Sequence, residues 1–432
     1  VYKMLDTLKT VKKFRNLYNA GSVLASGYYE IPSLNFDYGP IFSTFGFNEV
    51  EGLRVRTGGR TYFSQNDPWR LEGFLAYGFK DKKGKFGISG KWLLDKKSRL
   101  IISGGYRQDV EQIGASLTTS RDVLGRNLAS SSLVNTATND KLTSIKLANV
   151  AAEIEVVRNL QVRADFSLRT LESASETFSL DYFTDATQST TTGELKQAEV
   201  VLTTIWEPGK KTSGFGVERR VTNEWFPSFY ASYTRGLEGT LDSDFGYDKF
   251  QFSARKAIRV GGLGTLTAST EVGKTFDEVP LALLSPVPGN QSLFSIFNTF
   301  SQLNFYEFTT DEYASLQLEH NFGGRIFNRI PFLKGLNLRE IIGVRGIIGN
   351  ISQANIDLNR PAFESLLFAE GDPVTAITPS MIAPSMEPYY EYSIGVGNIF
   401  KVFRIDVNFR GNYNFLPDAR KIGVTGSFGF YF

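Results

Sequence analysis

Cysteine is absent from the 432-residue chain, and histidine occurs once, at position 320. Without cysteine there is no disulfide, no thiolate nucleophile and no sulfur-based metal site. One histidine leaves a single candidate imidazole for a hydrolase triad. No apolar run approaches the roughly 20 residues of a spanning helix. No signal peptide is recognisable. The chain starts abruptly at Val1, and the expectation is a processed or trimmed form with an upstream domain missing. Charge of one sign is lacking too: 47 basic against 45 acidic residues leave a net +2. That excludes the global field of a nucleic-acid binder.

Aromatics are plentiful. The 36 Phe, 19 Tyr and 4 Trp make up 14% of the chain, beside 41 Gly. This composition suits strands, interfacial girdles and tight turns. A mean hydropathy of -0.17 announces no membrane. Spanning barrels hide in such averages, because every lipid-facing residue is matched by a polar lumen-facing one.

Helical spacing occurs first. Leu5, Leu8, Val11, Phe14, Leu17 and Tyr18 recur along residues 2–19, with Lys3, Lys9, Lys12, Lys13 and Arg15 between them. This is a basic amphipathic helix. Two readings stay open: docking at a membrane interface, or a connector resting on protein. From about residue 37 the period changes to two. Phe403, Ile405, Val407 and Phe409 alternate with Arg404, Asp406, Asn408 and Arg410. Leu160, Val162, Ala164, Phe166 and Leu168 alternate in the same way. The chain ends on Ile422, Val424, Phe428, Phe430 and Phe432, all on one face. Such an edge invites aggregation in water, whereas barrel closure removes it. Full charges on the inner face would be ruinous in a dry core but are ordinary in a hydrated lumen.

About 14–16 alternating segments can be counted, and even parity favours 16. The reading is an all-β transmembrane antiparallel barrel over 28–432, preceded by the helix in 1–27. Turns at 81–84 and 95–98 are short, whereas stretches near 115–141, 209–226 and 353–387 are long. Short turns at one end and long loops at the other are expected.

Chemistry-bearing residues are sparse. His320 shares a face with Leu316 and Leu318, which suits a rim histidine; a triad would need a serine and a carboxylate beside it. Asp109 with Glu111, or Asp242 with Asp244, match no defined calcium loop. Gly58-Gly59 and Gly261-Gly262-Leu263-Gly264 precede no helix start, so they are bends rather than phosphate loops. Arg54, Arg56, Arg60, Glu319, Arg404, Asp406 and Arg410 should all point into the lumen near the closure seam. They read either as a selectivity element or as paired charges stiffening a plugged barrel. No cofactor and no metal are implied.

Phe47-Asn48-Glu49-Val50-Glu51-Gly52-Leu53-Arg54, Pro388-Tyr389-Tyr390-Glu391-Tyr392 and Gly395-Val396-Gly397-Asn398-Ile399-Phe400-Lys401 carry a resemblance. The chain resembles a barrel family of Bacteroidota outer-membrane proteins, often preceded by a carboxypeptidase-regulatory-like domain and generally without assigned function. It is more distantly similar to the barrel of the outer-membrane assembly factors of the BamA and TamA superfamily. That second resemblance implies a loop folding into the lumen near 279–303. Gly289, Asn290, Ser292, Leu293 and Phe294 would lie at its tip. The superfamily's loop arginine has no counterpart, since no arginine lies between Arg259 and Arg325. A last strand ending in Phe428, Phe430 and Phe432 would close the barrel against a first strand near 50–63. The implied function is non-catalytic: insertion, export or scaffolding of envelope proteins in the outer membrane of a Gram-negative bacterium, in contact with outer-membrane lipid. The alternative is a solute channel or transporter.

Overall fold

Strict alternation becomes a wall whose apolar side faces out. The computed structural model describes residues 10–62, 66–114, 130, 134–368, 376–416 and 418–429. Helix α1 (Lys12–Ser26) runs seven positions beyond residue 19 and stops at Gly27, whose φ of 76° is left-handed. The Gly27 N–H caps the Val23 carbonyl at 2.8 Å. Leu5 and Leu8 lie outside the described residues.

The strands follow in order: β1 (Tyr29–Ile31), β2 (Phe36–Tyr38), β3 (Phe45–Asn48), β4 (Gly52–Thr61), β5 (Trp69–Gly78), β6 (Gly84–Asp95), β7 (Leu100–Glu111), β8 (Thr143–Val157) and β9 (Leu160–Ser173). Then come β10 (Leu195–Trp206), β11 (Ser228–Gly236), β12 (Asp248–Arg259), β13 (Thr265–Thr275), β14 (Glu312–Asn321), β15 (Arg339–Asn350), β16 (Tyr389–Ile399), β17 (Phe403–Arg410) and β18 (Ile422–Phe428). From β4 to β18 each pairs antiparallel with the next. On the remaining edge of β4, β2 and β3 lie end to end, with Phe36 opposite Thr61 and Phe45 opposite Val55. Those fifteen strands and the broken one make a sixteen-stranded antiparallel transmembrane β-barrel. The strand at 52–61 is therefore second in the wall, not first.

Burial is inverted relative to a water-soluble protein. Tyr392, Ile394 and Ile405 are exposed, while their neighbours Glu391, Ser393, Arg404 and Asp406 are buried. Lipid solvates the first set, and the lumen pairs the second. All four tryptophans, Trp69, Trp92, Trp206 and Trp225, sit at one rim, and all four are exposed. Trp69 pairs across the strands with Trp92, and Trp206 stacks on Phe229 at 5.3 Å. Amphipathic rings at one level mark a membrane–water interface.

The connections at 96–99, 158–159, 260–264 and 400–402 are short and share that rim, called here the turn rim. Those at 112–142, 174–194, 276–311 and 351–388 are long and share the opposite loop rim. The short turn at 79–83 lies at the loop rim and the long connection at 322–338 at the turn rim, both against the expected asymmetry. The connection at 207–227 departs from it too: it is long, yet belongs to the turn rim. It folds inward as a flap. Phe215 N–H donates to Asn66 Oδ1 at 2.9 Å, and Val217 N–H to Asp67 O at 2.8 Å. Val217 packs with Leu93 and Ile101, and Arg99 donates to the carbonyls of Gly216 and Val217.

The apolar core sits in the loops. Leu142, Phe178, Val279, Leu281, Ile356 and Phe363 bury one another in a cap over the loop-rim mouth. Short helices at Gln353–Leu358 and Arg360–Leu367 belong to it. Asn359 is fully buried there: its Oδ1 accepts from Leu281 N–H at 2.6 Å, and its Nδ2 donates to Val279 O at 2.9 Å.

Candidate functional site: the seam and the inward segment

The charged residues expected inside the lumen separate into local clusters. Arg54 donates to Glu51 Oε1 at 2.7 Å and to both Asp109 oxygens at 2.7 and 3.2 Å. Lys85 Nζ adds a contact to Glu51 at 2.9 Å. Arg56 donates to Ser43 Oγ at 2.8 Å and lies over Phe74. Arg60 pairs with Asp37 at 3.1 Å and stacks on Tyr28. Arg404 joins Asp406 and Glu319, each at 2.7 Å. Arg410 stands apart from that trio and pairs with Glu307 at 2.6 Å. The geometry thus gives separate neutralised groups around the wall rather than one connected network.

The Arg410 group holds the inward segment. Residues 279–292 and 299–311 are almost wholly buried. The Glu391 carboxylate, on β16, accepts from the backbone N–H of Ser301 and Gln302 at 2.8 and 2.7 Å. Arg345 donates to Ser301 Oγ at 2.9 Å, and Lys249 to the carbonyls of Leu283 and Leu284. Arg420 donates to Asn290 O at 3.0 Å. With no arginine of its own, the segment offers carbonyls, amides and Glu307 to cations and one carboxylate of the wall. Burial pushes the Tyr306 hydroxyl up from its ordinary pKa.

Its turn at 289–294 is self-supported. Gly289 has the carbonyl of Leu303 only 2.6 Å from where a Cβ would stand, so no larger residue fits without a shift. Asn290 Oδ1 accepts from Ser292 N–H at 3.0 Å, and Asn290 Nδ2 donates to Phe294 O at 2.8 Å. These bonds hold Leu293–Ser295 against the outer edge of β18. Phe294 bridges Gly426 in parallel fashion. Gly426 N–H donates to Leu293 O, and Ser295 N–H to Gly426 O, both at 2.8 Å. On its other side the same segment meets residues 134–136: Leu293 N–H donates to Val134 O at 2.9 Å, and Thr136 N–H to Gln291 O at 2.8 Å. Asn135 Nδ2 then reaches Phe47 O on β3 at 3.3 Å. The described part of the last strand is thus joined to the first through two inserted loop segments, with no registered ladder of its own to β3 or β4. Phe428 faces outward, with rings of Phe403 at 4.6 Å and Phe294 at 6.2 Å. Phe430 and Phe432 lie outside the described residues.

Elsewhere the candidates are structural. His320 Nε2 meets Leu263 O at 2.8 Å and its ring packs on Phe322 at 4.4 Å, and among the described residues neither a serine nor a carboxylate bonds to it. Glu111 pairs with Arg107, and Asp244 accepts from Lys196 N–H. Among the described residues no group of three His, Cys, Asp or Glu is placed to hold a metal ion. In the flap, Glu218 pairs with Arg70 and, at 3.9 Å, with Lys91. Burial opposes its ionisation, but those two cations win and hold its pKa below the ordinary value. Sequence reasoning missed Glu51, Glu307 and Glu391 as partners of these cations, and weighed Asp109 only as a calcium ligand beside Glu111. Only Glu51, three residues before Arg54, stood close enough in the chain to be suspected.

The fold is that of outer-membrane barrels. BamA from Haemophilus ducreyi lacking its POTRA domains 1–3 superposes with a TM-score of 0.50 at 12% identity, over 91% of this chain and 70% of that one. CdiB from Escherichia coli gives 0.48 at 9% identity, over 93% and 64%. OprB from Pseudomonas putida gives 0.41 at 11% identity, over 88% and 89%. No curated protein matches in sequence. A family model described as the C-terminal domain of a family of unknown function, DUF5686, matches residues 21–354, and the chain belongs to that family.

Proposed function

We propose that this chain is a non-catalytic outer-membrane barrel that helps insert, export or scaffold other envelope components, and that it works through the seam. One observation carries the reading: the outer edge of β18 is occupied by a loop segment instead of a continuous ladder. Among the described residues two backbone hydrogen bonds at Gly426 hold the contact, whereas the other edge of β18 pairs at seven positions with β17. At about 0.5–1.5 kcal/mol net for each hydrogen bond, releasing the segment costs far less than unzipping the ladder. A released edge offers unpaired N–H and C=O groups to an incoming strand. On this reading the turn rim faces the periplasm of a Gram-negative bacterium, α1 leads to an upstream periplasmic domain, and partners are outer-membrane lipid and envelope proteins.

The test exploits the lack of native cysteine. Phe294→Cys with Gly426→Cys places a lone pair of thiols at the bridge. Oxidation should hold the segment on β18 and lower the amount of folded outer-membrane protein in cells dependent on this chain, and reductant should restore it. Undiminished client assembly in the locked form would overturn the proposal. A solute channel is the second reading, favoured by the polar lumen wall. The cap argues against it by packing loops from across the barrel together at the loop-rim end. Steady conductance steps in a planar bilayer that persist in the locked variant would select the channel.

A further inference from the structure

Three consecutive connections of the turn rim form one surface. They join β12 to β13, β14 to β15, and β16 to β17. His320 Nε2 meets Leu263 O, Arg325 donates to Gly262 O, and Asn398 Nδ2 donates to Asn337 O at 2.7 Å. These bonds tie the first connection to the second and the second to the third.

The surface has an unusual composition. Residues 258–265, 321–339 and 397–403 contain Arg259, Arg325, Arg329, Lys334, Arg339 and Lys401, and no Asp or Glu. The opposite arc of the same rim carries Asp95, Glu207 and Glu218, each bonded to a local hydroxyl or cation. Glu340, just beyond Arg339, is the carboxylate that borders them, and it accepts from Phe327 N–H. Large apolar side chains stand among these cations. Phe332 is 79% exposed and Phe400 86%, and Ile326 and Leu336 are exposed as well. The short helix Pro331–Lys334 presents Phe332 beside Lys334. Arg259 lies 4.5 Å over the ring of Trp225, at the level of the tryptophan girdle. Above the surface the outward face continues through Ile342, Val344 and Ile405, all exposed.

We infer that this arc is a seat for anionic phospholipid, with cations on headgroup phosphates and Phe332, Leu336 and Phe400 entering the acyl boundary of the turn-rim leaflet. Two facts select lipid as the occupant. The apolar tips are continuous with the lipid-facing belt, and the cations lie at the headgroup depth marked by tryptophan. A protein groove would instead be expected to enclose its apolar residues. The inference rests on the barrel spanning a bilayer and is independent of the seam.

The probe is phosphatidylglycerol, supplied as a minor fraction in phosphatidylethanolamine nanodiscs holding the full chain. Lipid retained after detergent exchange is counted by native mass spectrometry. Phosphatidylglycerol should be enriched about fivefold over its bulk fraction, the order expected from roughly one well-placed cation. Arg325→Ser, Arg329→Ser, Lys334→Ser and Lys401→Ser together should return it to the bulk ratio, while Lys96→Ser with Lys97→Ser on the opposite arc should leave it enriched. Folding is confirmed by heat-modifiable gel mobility. If the quadruple variant fails that check, Arg329→Ser with Lys401→Ser is read instead, and a partial loss is expected. No enrichment in the unmodified chain, equal enrichment in a folded variant, or an acidic protein retained on this arc in place of lipid would each overturn the inference.

Discussion

Replacing Arg54 by methionine tests whether lumen charges are held as closed groups. The guanidinium is 1% exposed and makes three charge-assisted bonds, one to Glu51 and two to Asp109. Both carboxylate side chains are 0% exposed. Removing the cation takes the guanidinium from both carboxylates: Asp109 keeps the Val110 N–H, and Glu51 keeps Lys85 and the Asn48 amide. Breaking a buried pair from one side costs about 3–5 kcal/mol. Asp109→Asn keeps the shape and removes the charge that Arg54 answers. If the two act as a unit, the double variant should be more stable than the sum of the singles predicts, by about 1–3 kcal/mol. Urea titration in micelles, followed by tryptophan fluorescence, reads this. The tryptophans lie at the turn rim, whereas Asp109 lies at the loop-rim end of β7, so the signal reports unfolding rather than local quenching. An unchanged m-value is required for the comparison. Additivity within about 0.5 kcal/mol would refute the closed-group argument.

Three further outcomes follow from the same structure. Leu75→Lys places a cation on the outward face of β5, where Leu75 is 64% exposed, and should cost about 2–4 kcal/mol near the bilayer midplane; Ser89→Lys, on a lumen-facing position of β6, should fold normally by gel mobility. Asn359→Ala leaves Leu281 N–H and Val279 O without partners in the cap and should destabilise it by about 1–3 kcal/mol, read as faster proteolysis of loop-rim segments. The lowered pKa of Glu218 means its ion pairs are fully present above the unfolded carboxylate value of about 4.3 and are lost as pH falls through the folded value. Protease nicking within 207–227 should therefore rise on acidification, and Glu218→Gln should show the high rate at neutral pH.

Much of the wall was legible because period two is a local signal. Phe403 to Arg410 alternates without interruption, and the structure places Arg404, Asp406, Asn408 and Arg410 inward in one strand. The broken first strand was not legible. Pro32, Pro40 and the single turns at Pro32–Leu34 and Ile41–Ser43 interrupt the pattern between β1 and β3, so the period starts cleanly only at β4. The direction of the 207–227 flap was equally hidden. Which rim a connection belongs to depends on counting every preceding strand, and Val217 finds Leu93 more than a hundred positions earlier. Grouping of the charges failed for a geometric reason. Arg410 and Arg404 share a face of β17, yet Glu307 arrives from the inward segment and claims only the former. Helices 353–358 and 360–367 lie inside a stretch that the sequence shows only as a long connection, although Ser352 caps the first and Pro361 opens the second.

The apolar cap has a consequence for the order of events during maturation. Its members range from Val110 to Ala383 and come from strand ends and connections separated by entire spanning strands. The groups at 178–182, 279–284 and 356–363 cannot meet one another until those hairpins have crossed the bilayer and the cylinder has bent round. Closing such distant stretches of chain is slow, since their entropy is surrendered before any contact repays it. The dome should therefore be the last part of the molecule to become rigid, setting like a keystone after the staves stand.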